Sequence, residues 1–376
     1  MNNRVCIIRS NPVKPDSRVE KEAWTLVKAG YQVHVLAWDR DSNHKAEDSY
    51  ITVADEKIPI TRLGYKAEYG AGLRSLGPNL QFQFHMCRWL KKNQEEFDIL
   101  HACDFDTAFF SQTFARKKKF VFDIFDFLYG EPKSLFQKLI YKAQIRLINR
   151  ADATIICTEE RKRQIKEATP KRLVVIHNTP IRSLLNENEG ISFQGSPLKI
   201  KIVYVGIFSN RRLLEEMGEV ISQDKRMEFH VAGFGSCQPY LEQLAESHEN
   251  IFFYGRIPYE QTLALESNCD IMTAIYDPAI ENHRYAAPNK FYESLMLGKP
   301  LIMAKGTGMS SVVEENNIGE LIEFSKEGFR DGLQELIDKK DEWEEMSARM
   351  KNIYEEHFSW EKMKERLISL YSEISE

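Results

Sequence analysis

Short apolar runs alternate with amphipathic stretches along most of the chain. RVCIIRS near the start reads as a strand. RVEKEAWTLVKAG reads as a helix, because Val19, Ala23, Leu26 and Val27 share one face and Gly30 supplies a stop. YQVHVLAW, FDILHA, KFVFDIF, ATIIC and LVVIH follow as strands, and KIVYVG, MEFHVAG, IFFYG, IMTAI and PLIMA repeat the rhythm in the second half. Strands that alternate with helices predict parallel sheets covered on both faces. The rhythm breaks once, in the polar, turn-rich stretch around 181–198. The expected organisation is therefore a first domain over 1–182, a linker over 183–198 and a second domain over 199–356. The final segment 357–376 contains a helix, SWEKMKERLISLYSEI, expected to cross back to the first domain.

Composition narrows the class. A chain of 376 residues, 43% hydrophobic and 28% charged, has ample apolar sequence for two cores. Its formal net charge of -5 gives no support to a nucleic-acid partner. No stretch reaches the ~18 consecutive apolar residues of a membrane span. The six cysteines are scattered without a CxxC pair, which reads as a reducing cytoplasm and no zinc site.

In open parallel sheets, ligands bind beyond the carboxyl ends of the strands. The segment with most chemistry at such a place is PNKFYESLMLGKP, residues 288–300. Pro288 suits the first turn of a helix, and Gly298 with Pro300 suits its end. The N–H groups and positive dipole end at Asn289 can receive a diphosphate, and Lys290 adds a full charge. Glu293 lies three residues on, where its carboxylate can accept bonds from ribose hydroxyls. The bland alternative, a surface Lys–Glu pair, is equally open on this segment alone. In the first half, SNPVKPDSRV brings Asp16 and Arg18 to a strand end, HACDFD brings His101, Asp104 and Asp106, and VFDIFD brings Asp123 and Asp126. Asp16 either contacts a ligand or caps the following helix. No GxGxxG follows the first strand, which disfavours a nicotinamide dehydrogenase. KSLFQKLIYKAQIRLINR carries Lys138, Lys142, Arg146 and Arg150 beside Phe136, Leu139, Ile140, Ala143 and Leu147. Such a helix either packs on its own sheet with a solvated basic face or lies on an anionic membrane.

Taken together, RVEKEAWTLVKAGYQVHVLAW, DILHACDFDTAFF, ADATIICTEERKRQI, HVAGFG, YGRIPYEQ and PNKFYESLMLGKPLI, in this order, resemble family 4 retaining glycosyltransferases. The resemblance implies an α/β chain of the GT-B fold: two Rossmann-like, doubly wound domains facing a central cleft. It implies transfer of a sugar from a nucleoside diphosphate sugar to a glycan or lipid-linked hydroxyl, with retention and without metal or other cofactor. That suits surface polysaccharide or glycoconjugate synthesis in the cytoplasm, at the inner face of the membrane. Arg212 (or its neighbour Arg211) and Lys290 match the residues that neutralise the leaving phosphates, and Asp126 falls in the same catalytic region. Glu293 matches the ribose ligand, Asn289 and Gly206 the diphosphate loops, and Arg256 with Ile257 the stretch at the base. Asp16, Arg18, His101 and Asp104 are expected on the acceptor side. Many members carry a further glutamate where this chain has Tyr285, so Glu281, Asn282, His283 and Tyr285 become candidates for the sugar pocket. A histidine often found in the family is Phe125 here, which excludes a general-base histidine at that point. Asp104-Phe105-Asp106 resembles a metal motif of the other main glycosyltransferase fold, whose single sheet domain does not fit this chain. A non-catalytic nucleotide-sugar-binding subunit and a sugar-nucleotide epimerase of the same fold are the alternatives.

Overall fold

The computed structural model describes residues 3–43, 46–67, 76–182 and 191–376. The stretch 183–190 of the expected linker lies outside the described residues. The chain divides into two compact units: Met1–Asn178 with Met363–Glu376, and Thr179–Lys362.

The first unit is built on eight strands. These are β1 (Arg4–Arg9), β2 (Gln32–Asp39), β3 (Glu47–Val53), β4 (Glu56–Gly64), β5 (Ile99–Cys103), β6 (Lys119–Ile124), β7 (Ala153–Ile156) and β8 (Leu173–Val175). Their order across the sheet is β3-β4-β2-β1-β5-β6-β7-β8. Helices α1 (Ser17–Lys28), α2 (Leu76–Lys92), α3 (Asp104–Ser111) and α4 (Leu135–Arg150) connect them. β1 buries Val5, Cys6, Ile7 and Ile8 in succession, as a strand covered on both faces must. The pairings are parallel except β3 with β4, an antiparallel hairpin at the sheet edge. The hairpin departs from the all-parallel expectation. EDSYITV and EKIPITRLG are too polar to stand out as apolar runs, and only β4 is buried along most of its length.

The second unit carries six parallel strands: β9 (Ile200–Phe208), β10 (Met227–Gly235), β11 (Ile251–Phe253), β12 (Ile271–Thr273), β13 (Leu301–Ala304) and β14 (Gly319–Ile322). Their order is β11-β10-β9-β12-β13-β14. The helices are α5 (Leu214–Ser222), α6 (Gln238–Ser247), α7 (Tyr259–Ser267), α8 (Asn289–Leu297), α9 (Ser310–Asn316), α10 (Lys326–Asp338) and α11 (Trp343–Ile353). The last helix, α12 (Trp360–Ser375), begins in this unit, and its part from Met363 onward belongs to the first. There Tyr371 hydroxyl bonds to His101 Nδ1 at 2.7 Å, and Arg366 donates to the Val175 carbonyl at 3.0 Å. No helix among the described residues is long and apolar enough to cross a membrane.

Both sheets reverse their winding at a defined place. In the first unit the chain leaves β1 toward β2 on one side and continues with β5 on the other. In the second it leaves β9 toward β10 and later fills β12 on the opposite flank. The connections diverge there and leave a crevice at the carboxyl edge, where open α/β sheets hold ligands.

Candidate functional site

In the second unit, β9 ends at this reversal with Gly206-Ile207-Phe208. Gly206 has φ +146°, and a Cβ on it would lie 2.7 Å from Lys290 Nζ. The missing side chain is what lets the Lys290 amine lie against the strand end. Lys290 comes from the first turn of α8. Pro288 stands just before that helix as its N-cap, one position earlier than the sequence suggested, with φ -60° and ψ 132°. Gly298 closes the helix with φ +68°. The amine lies 4.7 Å from the centroid of the Tyr204 ring. Burial works to lower the pKa of this lysine, but Tyr204, Tyr276, Glu293 and Glu266 outweigh it and hold the amine above its ordinary value. Lys290 is therefore a half-buried, permanent cation.

Arg212 joins it from the short turn after β9. Its guanidinium stacks 3.4 Å from the Tyr276 ring centroid and lies 3.3 Å from His283 Nε2. His283 Nδ1 is in turn 2.9 Å from the Asp277 carbonyl oxygen. Burial lowers the His283 pKa, with Arg212 adding to the effect. Arg211 turns elsewhere: it donates to Asp277 Oδ2 at 2.8 Å. The two neighbouring arginines thus take different partners. Arg211 is tied to a buried carboxylate, and Arg212 shares Tyr204 and Tyr276 with Lys290.

Glu293 is 4% exposed. The Tyr259 hydroxyl bonds to it, and Glu266 of α7 lies close enough to be held well above the usual carboxyl range by burial and by Glu293. With Glu293 buried and Lys290 over Tyr204, the two do not form the ordinary exposed ion pair that was the bland alternative. Asn289 is exposed at the start of α8. Arg256 is exposed, its guanidinium 4.9 Å from the Phe234 ring centroid, and Ile257 packs half-buried against the core. Asn282 belongs to a 3-10 turn over Glu281–Arg284, and Tyr285 caps it, its N–H donating to the Asn282 carbonyl at 3.2 Å. Sequence reasoning missed Tyr204 and Tyr276, which shape this cluster, whereas His283 was among its sugar-pocket candidates. Tyr276 follows β12 directly, so the strand-end rule was the signal for it. It also missed Ile207 and Phe234, cross-strand neighbours that are 63% and 45% exposed.

In the first unit the reversal point gathers Arg9, Asp16, Asp104 and Phe125. Arg9 Nε donates to Asp16 Oδ2 at 2.8 Å, and Arg9 also binds Asp104. Asp16 accepts from the Val19 amide at 3.3 Å, so it caps α1 and anchors Arg9 together. Asp104, at φ +67°, accepts from the Phe125 and Asp126 amides at 2.9 and 3.0 Å. Burial pushes its carboxyl up to about 6, against the pull of Arg9. With these oxygens engaged, Asp104 organises the loop after β6 and does not present a free metal-ligand pair with Asp106. Asp126 is exposed and accepts from Arg161 at 3.0 Å. Arg9 and Arg18 face the Phe125 ring, 4.1 and 4.5 Å from its centroid.

Two acceptor-side expectations are corrected. Arg18 is 3% exposed and is held by Asp123 and by the Ile176 carbonyl. His101 is fully buried within β5, between Tyr371 and the carboxylates of Asp123 and Glu22. Arg18 neutralises, and His101 packs within, a buried carboxylate network that joins α1, β5, β6 and α12, and neither is open to a ligand. A strand-end position in the sequence did not distinguish a side chain aimed beyond the sheet from one aimed into it. His101 and Asp123, with Cys103, are also spaced as metal ligands could be, but Arg18 already supplies a cation to Asp123.

Residues 18–179 match the profile described as Glycosyltransferase Family 4, and residues 199–339 match the one described as Glycosyl transferases group 1. The chain belongs to this glycosyltransferase family. It is accordingly a glycosyltransferase enzyme of the GT-B type, with two parallel-sheet α/β domains. No curated protein gives a significant match. Among solved structures, sucrose-phosphate synthase from Thermosynechococcus elongatus is similar, with a TM-score of 0.76, 13% identity and 99% of each chain covered. An Escherichia coli trehalose-6-phosphate protein bound with UDP-2-fluoro glucose has a TM-score of 0.74, 8% identity and coverage of 99% of this chain and 98% of that one. Anabaena HepE in complex with UDP-glucose has a TM-score of 0.70, 13% identity and coverage of 98% and 99%. At these identities the likeness speaks to the fold.

Proposed function

We propose that the protein transfers a sugar from a nucleoside diphosphate sugar, a uridine diphosphate sugar first among them, to a hydroxyl of a glycan or lipid-linked acceptor. The observation that carries this reading is the meeting of Arg212 and Lys290 around Tyr204, Tyr276 and Gly206 at the carboxyl edge of β9. As the bond from the anomeric carbon to the phosphate oxygen breaks, negative charge grows on the diphosphate. Two preorganised cations and the N-terminus of α8 meet that charge without a metal. Glu293, one helical turn from Lys290, is the proposed ribose ligand, and Asn289 and Gly206 line the diphosphate. Arg256 and Ile257 take the base, and Asn282 and Tyr285 take the sugar. The UDP ligands named for the Escherichia coli and Anabaena proteins support the choice of uridine.

The reaction runs with retention in this reading. The acceptor oxygen forms its bond to the anomeric carbon on the face the phosphate leaves, and its proton passes to the departing phosphate. Asp16 and Asp104 at the edge of the first sheet are the proposed acceptor-side groups, and Asp126 beside them is the further catalytic candidate. The setting is cytoplasmic, at the inner face of an anionic membrane, in surface polysaccharide or glycoconjugate synthesis; the basic helix α4 supports that part. Tyr285 at the place of the family's further glutamate favours a second reading, a subunit that binds nucleotide sugar without turning it over.

A thermal-shift screen of nucleoside diphosphate sugars, followed by turnover on an acceptor panel, tests the function. Lys290→Ala is expected to keep its fold and lose about a hundredfold in turnover. Near-normal turnover in that variant would sink the phosphate assignment. Binding without turnover in the wild type across the panel would leave the second reading in its place.

A further inference from the structure

Helix α4 divides into two halves. Tyr141, Ile145, Leu147 and Ile148 of its second half are buried against the sheet of the first unit. In its first half, Leu135 is 81% exposed, Leu139 68% and Phe136 65%. Exposed apolar residues scattered singly need no explanation, but three within two helical turns do. Leu135 and Leu139 lie one turn apart on the same face, with Phe136 beside them. Leu128 and Tyr129, on the turn that leads to the helix, are exposed as well.

The helix start is rigidly built. Ser134 Oγ accepts from the Gln137 amide at 3.2 Å, and Gln137 Oε1 accepts from the Ser134 amide at 3.2 Å and the Lys133 amide at 2.6 Å. This capping box fixes the first turn before any partner arrives. The apolar tip is therefore held out to solvent as ordered helix, and binding it would cost little ordering entropy.

Charge identifies the partner. Lys133, Lys138, Lys142 and Arg146 are all exposed around the tip, and α4 contains no acidic residue. Glu131, upstream, is the nearest acidic side chain in sequence. Apolar side chains flanked by lysines suit the interface of an anionic bilayer, where the rings and branched chains enter the acyl boundary and the ammonium groups rest among the headgroups. A nucleic acid would use the lysines and leave the apolar tip in water.

We infer that the first half of α4 is a membrane-inserting tip, with Leu135, Phe136 and Leu139 entering an anionic lipid surface. The tip follows the loop that leaves β6 through Phe125 and Asp126, so it rises from the same sheet edge as Asp104 and Asp126. Its use in glycosyl transfer, bringing a lipid-linked acceptor to that edge, rests on the function proposed above. The lipid contact itself rests on the tip alone.

The test is co-sedimentation of the full chain with vesicles of phosphatidylcholine, with and without phosphatidylglycerol, at low salt. Wild type is expected to sediment with the anionic vesicles. The triple variant Leu135→Ser, Phe136→Ser, Leu139→Ser is expected to lose at least about tenfold in vesicle affinity while keeping its melting temperature and its nucleotide-sugar affinity. Lys138→Glu with Lys142→Glu should weaken binding to anionic vesicles and remove the difference between the two compositions. Failure of wild type to bind, or full binding by the triple variant, would overturn the inference. So would concentration-dependent self-association that the triple variant abolishes, since the tip would then be covered by a second copy. Nucleotide-sugar affinity, measured in each variant, reports on the donor site separately from the lipid contact.

Discussion

At Gly206 the backbone takes a φ of +146°, and the space a Cβ would fill is occupied by the Lys290 amine 2.7 Å away. A side chain at this position is penalised twice, by backbone conformation and by displacement of the cation. Gly206→Ala is therefore expected to keep the fold while moving Lys290 off its line, lowering turnover by about a hundredfold, as misplacement by an ångström does in enzymes. Initial-rate kinetics against a fixed acceptor would check it, and wild-type rates would show that the lysine has other room. The same close approach explains which part of the site was readable beforehand. A lysine at the start of a helix near a strand end is visible in a sequence, but the surface that makes it useful, Tyr204, Tyr276 and Gly206, comes from two other strands and their loops. His101 and Arg18 show the converse. Their positions at strand ends suggested ligand contact, and their burial among Asp123, Glu22 and Tyr371 made them structural.

Among the elements, α8 has termini whose chemistry agrees with its sequence. Pro288 precedes it, Gly298 ends it in the left-handed region, and Pro300 follows. A Cβ on Gly298 would meet Ser347 Oγ at 2.3 Å and the Ser347 carbonyl oxygen at 3.0 Å, on the neighbouring helix α11. Gly298→Ala should cost about 1–3 kcal/mol of stability, from the unfavourable φ together with the crowding. Urea unfolding would measure it, and a change within error would mean that α11 shifts freely. Elements with strong periodicity and local stop signals, such as α1, α8 and the buried strands, were legible for that reason. The hairpin β3–β4 was not, since its residues alternate with polar ones and its pairing partner is set by the sheet edge. Helix α4 was legible as basic and amphipathic, but not in which half of its apolar residues would find a core.

For the molecule as a whole, the stability at mildly acid pH depends on buried histidines in both units. Burial lowers His177 and His230 to about 3. Their folded pKa values lie below the unfolded value of about 6.5, so the unfolded chain binds protons first as the pH falls. Each histidine thus contributes stability that is complete above about 6.5 and is lost toward about 3, amounting to about 2 kcal/mol by pH 5. Glu22 and Glu266, whose carboxyls burial raises well above the usual range, work in the other direction, so the informative quantity is a difference between variants. His230 lies between the Phe193 and Phe252 rings, and His230→Phe preserves that stacking. Its stability relative to wild type should improve by about 2 kcal/mol between pH 7 and pH 5. Denaturant titrations at the two pH values would check this, and a constant difference would mean that His230 protonates freely when folded.

Periodic burial, strand–helix alternation and the helix signals of 288–300 depend on neighbours along the chain, so the sequence alone determined the two α/β domains and the candidate donor helix. The different partners of Arg211 and Arg212, the burial of Arg18 and His101, the Lys290–Gly206 approach and the bare tip of α4 depend on atoms brought together from distant segments. Only the tertiary structure decided these, because side-chain direction and solvent access are set by packing across the sheet.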